Sequence, residues 1–188
     1  MFDVDTAIET ATEMFWRNGY ERTSLADLTT AMGITPPSFY FEFGSKEGLF
    51  KRVLKHYSET RLKRVEEAFN QPTTRDLAEH FLFCLADLYT ETDRPPGCLV
   101  VTCSLPSADD DRPVRGELVR IRDARGERLR SRFQDAITGG DLPRDADPDA
   151  LAHFLMCVAW GMAVDAQGGA TRADLQRTAA LALKAWPN

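Results

Sequence analysis

Apolar residues recur along this chain at intervals of three and four, and no segment keeps the strict alternation of a half-buried strand. Val4, Ala7, Ile8, Ala11 and Phe15 mark one face of a first helix, which Gly19 ends. Ser24 to Met32 reads as a second, short helix, with Thr23 or Ser24 as its cap and Asp27 completing a capping box. Gly33 supplies the left-handed residue that a sharp turn needs. A third helix follows at once: Thr35 offers a cap oxygen, and Pro36 suits the first helical position, where a missing N–H is no loss. It ends near Phe43 and Gly44. Ser45 caps a fourth helix that starts at Lys46 and keeps its period through Leu49, Val53, Leu54 and Tyr57. The pattern predicts that this helix continues to about Phe69, roughly 36 Å at 1.5 Å per residue, enough to run from one domain into another.

Beyond "NQPTT" the spacing predicts helices at 75–92, 113–137, 148–167 and 172–186, with Asp147-Pro148 and Thr171 as starts and Gly139-Gly140 and Gly168-Gly169 as stops. Cys98 to Leu105 reads as one further short helix, and the acidic "ADDD" as a solvated loop. The expected fold is all-α, with an N-terminal three-helix helix-turn-helix domain over 1–46 and a helical bundle over 47–188.

Two short helices joined by a glycine turn (about 24–43) suit a helix-turn-helix, whose second helix enters the major groove of DNA. Phe39 and Phe43, four apart, share one face and would pack on Leu25, Leu28 and the first helix. Ser38 and Glu42 are placed opposite them, with Tyr40 and Phe41 on the flanks. So short a helix is not stable alone in water, and aromatic anchoring on one side would hold the other side ready. Lys46 at a helix start, the amides at Thr23 and Ser24, and the Tyr40 hydroxyl are candidate phosphate contacts. Thr35, Ser38 and Glu42 are candidate base readers, Glu42 as an acceptor for a cytosine amino group.

Charge refines this picture. The net charge is −6, and residues 1–64 hold nine Lys/Arg against nine Asp/Glu, leaving 14 against 20 in the remainder. That balance argues against a non-specific nucleic-acid binder, so any DNA contact must come from a few well-placed groups. The opening "MFDVDTAIET" is acidic and amphipathic, unlike a signal or transit peptide. No uninterrupted apolar run reaches eighteen residues. Cys84, Cys98, Cys103 and Cys157 have neither CxxC nor zinc-like spacing and read as reduced thiols. A cytoplasmic chain with no membrane partner is expected.

The segment "ETATEMFWRNGYERTSLADLTTAMGITPPSFYFEFGSKEGLFKRVL" resembles the N-terminal domain of the tetracycline-repressor (TetR) family of bacterial transcriptional regulators, AcrR-like in type. "FWRNGYERTSL", "AMGI", "SFYFEFGSKEGLF" and their spacing carry the likeness. The resemblance implies an all-helical dimer with a C-terminal domain for ligand binding and dimerisation. It also implies that Thr35, Pro36, Ser38, Tyr40 and Lys46 occupy DNA-contact positions, and that Phe39, Phe43 and Gly44 occupy structural ones. Many members carry a basic arm before the first helix, whereas here the chain starts almost at the helix.

Segment 148–167 is apolar nearly all round, as a helix buried on several sides would be. A four-helix dimer interface from the last two helices of each subunit is therefore expected, through Met156, Trp160, Leu175, Ala179 and Trp186. Phe81, Cys84, Leu85, Leu88, Cys103, Phe154 and Val158 are candidate walls of a pocket for a small hydrophobic or electrophilic effector, each also readable as plain core. Cys98 stands at a possible helix start, where a thiolate is favoured. The stretch "GCL" resembles a subgroup with a cysteine here, some of whose members sense oxidants or electrophiles; a buried structural thiol is the other reading. His56, His80 and His153 are isolated, and no GxGxxG, P-loop or GxSxG occurs, so neither metal, cofactor nor enzyme activity is expected. Two alternatives stay open: a helix-turn-helix protein acting through protein partners, and a helical enzyme without DNA affinity.

Overall fold

The computed structural model describes residues 2–104 and 112–187, the side chains of 112 and 113 apart. All regular elements among them are helical: α1 (Val4–Asn18), α2 (Leu25–Met32), α3 (Pro36–Phe43), α4 (Lys46–Thr60), α5 (Lys63–Glu66), a 3-10 turn at Glu67–Asn70, α6 (Thr74–Tyr89), α7 (Leu99–Ser104), α8 (Arg112–Gly139), α9 (Pro148–Gln167) and α10 (Arg172–Lys184). They fall into two compact units, residues 1–61 with 98–119 and residues 62–97 with 120–188. The boundary expected at 46/47 falls inside the first unit, because α4 belongs with α1. Leu105 and the acidic "ADDD" lie outside the described residues.

In the first unit an aromatic cluster locks α1 to α4. Phe15 meets Phe50 edge-on at 5.0 Å between ring centroids, Tyr20 meets Phe50 at 4.8 Å, and Trp16 meets Tyr57 at 5.1 Å. Leu28, Phe39, Leu49 and Val53 complete a core with no exposed surface. Each such side chain contributes about 1.5–3 kcal/mol by leaving water. His56 adds a polar tie, its Nε2 lying 2.8 Å from the Glu9 carboxylate.

The long fourth helix expected to reach Phe69 stops at Thr60. Its buried stripe passes through Val53, Leu54 and Tyr57, but the next places on that face hold Thr60 and Arg61. Burial resumes at Leu62, five residues past Tyr57 and about 140° further round an ideal helix. Leu62, Val65 and Ala68 then recur every third residue, through the single turn of α5 and into the 3-10 turn at Glu67–Asn70.

In the second unit α6 packs against α9 and α10. Phe81, Leu82 and Leu85 from α6 are fully buried, as are Leu129 and Phe133 from α8, Leu155 and Ala163 from α9, and Leu175 and Ala179 from α10. The Thr74 amide donates to the Asp141 carboxylate at 2.6 Å, and the Trp186 indole N–H donates to the Thr74 hydroxyl at 3.4 Å. Gly97 is in the left-handed region at φ 79°, and a Cβ there would stand 2.6 Å from the Ala163 carbonyl oxygen, so the loop before α7 requires glycine.

These contacts revise the expected dimer face. Leu175, Ala179 and Trp186 point into their own unit, and Trp186 packs on Phe133 at 5.3 Å. Met156 and Trp160 are half-buried, while Leu181 is 66% and Val164 45% exposed. Among the described residues α9 is the one helix long and apolar enough to cross a bilayer on length and composition alone. Its Ala152, Leu155, Ala159, Met162, Ala163 and Ala166 are buried in the second unit.

Candidate nucleic-acid interface

Local chemistry fixes the two short helices before tertiary contacts act. Ser24 caps α2 in extended conformation, and its hydroxyl accepts the Asp27 N–H at 3.1 Å while the Asp27 carboxylate accepts the Ser24 hydroxyl at 2.6 Å and the Ser24 N–H at 3.2 Å. The Ser24 hydroxyl, and then its amide, hold Asp27 below the usual carboxylate range. Gly33 turns the chain in the left-handed region (φ 65°, ψ 33°), and the Ile34 N–H donates back to the Thr29 carbonyl. Thr35 caps α3 with Pro36 and Pro37 at its first two positions; the Thr35 oxygen accepts the Ser38 N–H at 3.4 Å and lies 3.0 Å from the Ser38 hydroxyl.

Tertiary packing then sets which side of α3 looks outward. Phe39 is fully buried and Phe43 nearly so, their rings 5.3 Å apart, and Phe2 covers Phe43 from the N-terminus at 6.3 Å. A Cβ on Gly48 would stand 2.2 Å from the Phe43 carbonyl oxygen, so the first turn of α4 closes on the end of α3 only because residue 48 is glycine. Arg52 of α4 lies 5.0 Å over the Phe43 ring and donates to the Glu42 carboxylate at 2.8 Å. Three aromatic contacts and one ion pair thus hold eight residues that could not form a helix alone.

Thr35, Pro36 and Tyr40 are exposed, Tyr40 by 53%, and Ser38 is half-buried. Lys46 starts α4 with its ammonium 4.1 Å over the Tyr20 ring, a cation–π contact that orients the side chain. Three expectations change. Thr23 is completely buried: its hydroxyl donates to the Gly19 carbonyl at 2.7 Å and its amide to Tyr20, so it shapes the turn into α2 and presents no group to a phosphate. Ser24 is exposed, but its amide is spent on Asp27, whose negative charge already stands where an anion would sit. Glu42 is committed to Arg52 and braces the helix instead of offering a bare acceptor to a cytosine.

The residue that sequence reasoning misplaced is Phe41, 92% exposed. At about 100° per residue it lies diametrically opposite the direction shared by Phe39 and Phe43, whereas Glu42 lies only about 80° from that direction. Phe41 is the centre of the outward face and Glu42 is a flank; the angular count alone carries that signal. Arg52, Tyr20 and Phe2 are supporting residues with no comparable mark in the local pattern.

The expected pocket residues do not form one set. Phe81, Leu85 and Leu88 are buried in the second unit, with Cys84, Phe154 and Val158 half-buried there. Cys103 belongs to the first unit, where its thiol donates to the Phe15 carbonyl at 3.6 Å and burial pushes its pKa up to about 12. Burial also raises the Cys84 thiol. Cys98 is 5% exposed and accepts the Tyr57 O–H at 3.6 Å, so it is an enclosed thiol and not one standing open at a helix start. Among the described residues no three His, Cys, Asp or Glu side chains gather as a metal ion would require.

A capped two-helix element with its second helix anchored on one side and open on the other defines a helix-turn-helix protein of the kind that docks on duplex DNA. Residues 7–53 match the model of bacterial regulatory proteins of the tetR family, and residues 77–182 match that of the tetracyclin repressor-like C-terminal domain. The chain belongs to the TetR family and is a DNA-binding transcriptional regulator. It is 35% identical to the HTH-type transcriptional repressor ComR of Escherichia coli (strain K12), over 100% of this chain and 90% of ComR. It is 27% identical to the repressor DhaR of Mycobacterium sp. (strain GP1), over 90% of this chain and 81% of DhaR. Among solved structures it superposes with a TM-score of 0.93, at 38% identity and over 99% of this chain and 98% of the other, on a cysteine mutant of the TetR family regulator CifR complexed with a 26-bp double-strand operator DNA.

Proposed function

We propose that the chain represses transcription as a homodimer on a two-fold symmetric operator and that a small apolar effector releases it. The observation that carries the reading is the one-sided anchoring of α3: Phe39 and Phe43 inside, Pro36, Tyr40 and Phe41 outside, with Lys46 at the start of the next helix. Relatives described as repressors, ComR and DhaR among them, support the sign of regulation, and CifR on its operator supports the target. In this reading α3 lies in the major groove, Tyr40 and Lys46 grip the backbone, and Thr35, Pro36 and Ser38 approach base edges. The protein acts in the compartment that holds the DNA.

A dimer would set two copies of α3 about 34–36 Å apart, one DNA turn, on a palindrome. The outward side of α9 and α10, where Leu181, Val164, Trp160 and Met156 leave apolar surface uncovered, supports self-association through these helices. An effector taken up among α6 and α9, near Phe81, Leu85, Phe154 and Val158, would release DNA only by preferring an arrangement with a different spacing of the two α3 helices.

The test is a binding titration on DNA upstream of the protein's own gene, at several salt concentrations, with Tyr40→Ala and Lys46→Ala beside the wild type. The reading expects sequence-specific retention, loss of most of it in each variant with the oligomer intact, and a salt slope shallower by about one for Lys46→Ala. Equal affinity for random DNA, or unchanged binding by both variants, contradicts it.

A further inference from the structure

We infer that Phe41 reads thymine in the operator, through the 5-methyl group that thymine presents in the major groove; this rests on the reading that α3 docks there. Phe41 is 92% exposed, and among the described residues only one other large apolar side chain, Leu181, is above 60%. It is the sixth of the eight residues of α3, directly opposite the two rings that fix the helix, so its backbone is held in place by theirs. Exposed Pro37 lies one turn earlier on the same side, making a short apolar strip at the centre of the docking face.

A phenyl ring has no hydrogen-bonding group, so it cannot pair with base-edge donors and acceptors or ligate a phosphate. In the major groove the apolar feature it can recognise is the thymine methyl. The polar groups of the helix lie to the side of Phe41, the Thr35 and Ser38 hydroxyls 3.0 Å from each other and Glu42 paired with Arg52. At the centre of this face burial of apolar surface is therefore the gain that docking has available. Wedging between base pairs from the minor groove fits poorly, because a helix about 10–12 Å across matches a major groove of about 12 Å and not a minor groove of about 6 Å.

The experiment uses the full chain and duplexes that it enriches itself from a random-sequence pool. Each thymine of the enriched duplex is replaced in turn by deoxyuridine, which deletes the methyl and leaves the hydrogen-bonding edge unchanged. Affinities are measured for wild type and Phe41→Ala, with circular dichroism confirming that the variant keeps its helix content. The expected result is one position per half-site where losing the methyl weakens wild-type binding roughly three- to tenfold, the effect of about one to two buried methyl-sized groups, and leaves Phe41→Ala unaffected. Equal penalties in both proteins at every position, or none in either, overturn the thymine assignment while specific binding leaves the docking of α3 standing. Failure to enrich any sequence overturns both.

Discussion

Glu42 and Arg52 bear directly on what the C-terminal turn of α3 can do. The carboxylate accepts from Nη1 at 2.8 Å, and the guanidinium also covers Phe43. Glu42→Gln should therefore leave base preference unaltered and change operator affinity less than about fivefold, because a partly exposed pair contributes about 0–1 kcal/mol. A switch in preference at a cytosine, read by selection from random duplexes, would restore Glu42 as a base reader. The thiols allow a second check. Only the thiolate alkylates, and Cys103 is held protonated up to about pH 12 by its burial. Iodoacetamide at pH 8 should modify exposed Cys157 first and leave Cys103 untouched until the chain unfolds, as peptide mass spectrometry will register. Early modification of Cys103 would mean that its enclosure against α1 is transient. Caps at Ser24, Thr35 and Ser45 were readable in the sequence because each is a local spacing rule. The burial of Thr23, Cys98 and Cys103 was not, because it depends on partners 4 to 88 residues away.

At the scale of elements, α3 is a rigid rod made from a sequence too short to be one, and its two faces should respond to substitution in opposite ways. Phe39→Ala should lower stability by about 3–5 kcal/mol, as for other buried phenylalanines, whereas Phe41→Ala should change it by less than about 0.5 kcal/mol. Urea unfolding followed by tryptophan fluorescence distinguishes them, and comparable losses in both would contradict the facing described for α3. The capping box on α2 adds a pH signature. Asp27 has its pKa lowered in the folded state, so its contribution is present above the ordinary carboxylate range and disappears as pH falls through the lowered value. Ser24→Ala should accordingly reduce the melting temperature at pH 7 and have a smaller effect in strong acid, where only the cap on the Asp27 N–H is left to lose. Helix existence followed from period and caps almost throughout. The end of α4 did not, since Leu62 keeps the chain apolar while moving the buried stripe to another side, a change visible only when the angle of each position is counted.

For the whole molecule the proposed self-association turns on which surface of the α9–α10 layer another copy would cover. Helical spacing alone does not say whether the apolar stripe of α10 faces its own unit or another copy, which is why Leu175, Ala179 and Trp186 read as interface in the sequence although they fill their own core. The exposed apolar positions give the sharper prediction. Leu181→Asp combined with Val164→Asp should yield a folded monomer with little operator affinity, while Leu175→Ala should lower stability by about 2–5 kcal/mol. Sedimentation and thermal melts separate the two outcomes, and a dimer surviving the double aspartate variant would move the interface elsewhere. The near-neutral N-terminal region and net charge of −6 fit a regulator that relies on placement of two reading helices more than on bulk attraction to DNA. Methylation protection by dimethyl sulfate, which reports guanine N7 in the major groove and adenine N3 in the minor groove, tests that placement most directly on a duplex enriched by the full-length protein. The account predicts protection in two major-groove patches centred about 10–10.5 base pairs, or one turn, apart. Protection confined to minor-groove positions, or none on a duplex that is demonstrably bound, would contradict it.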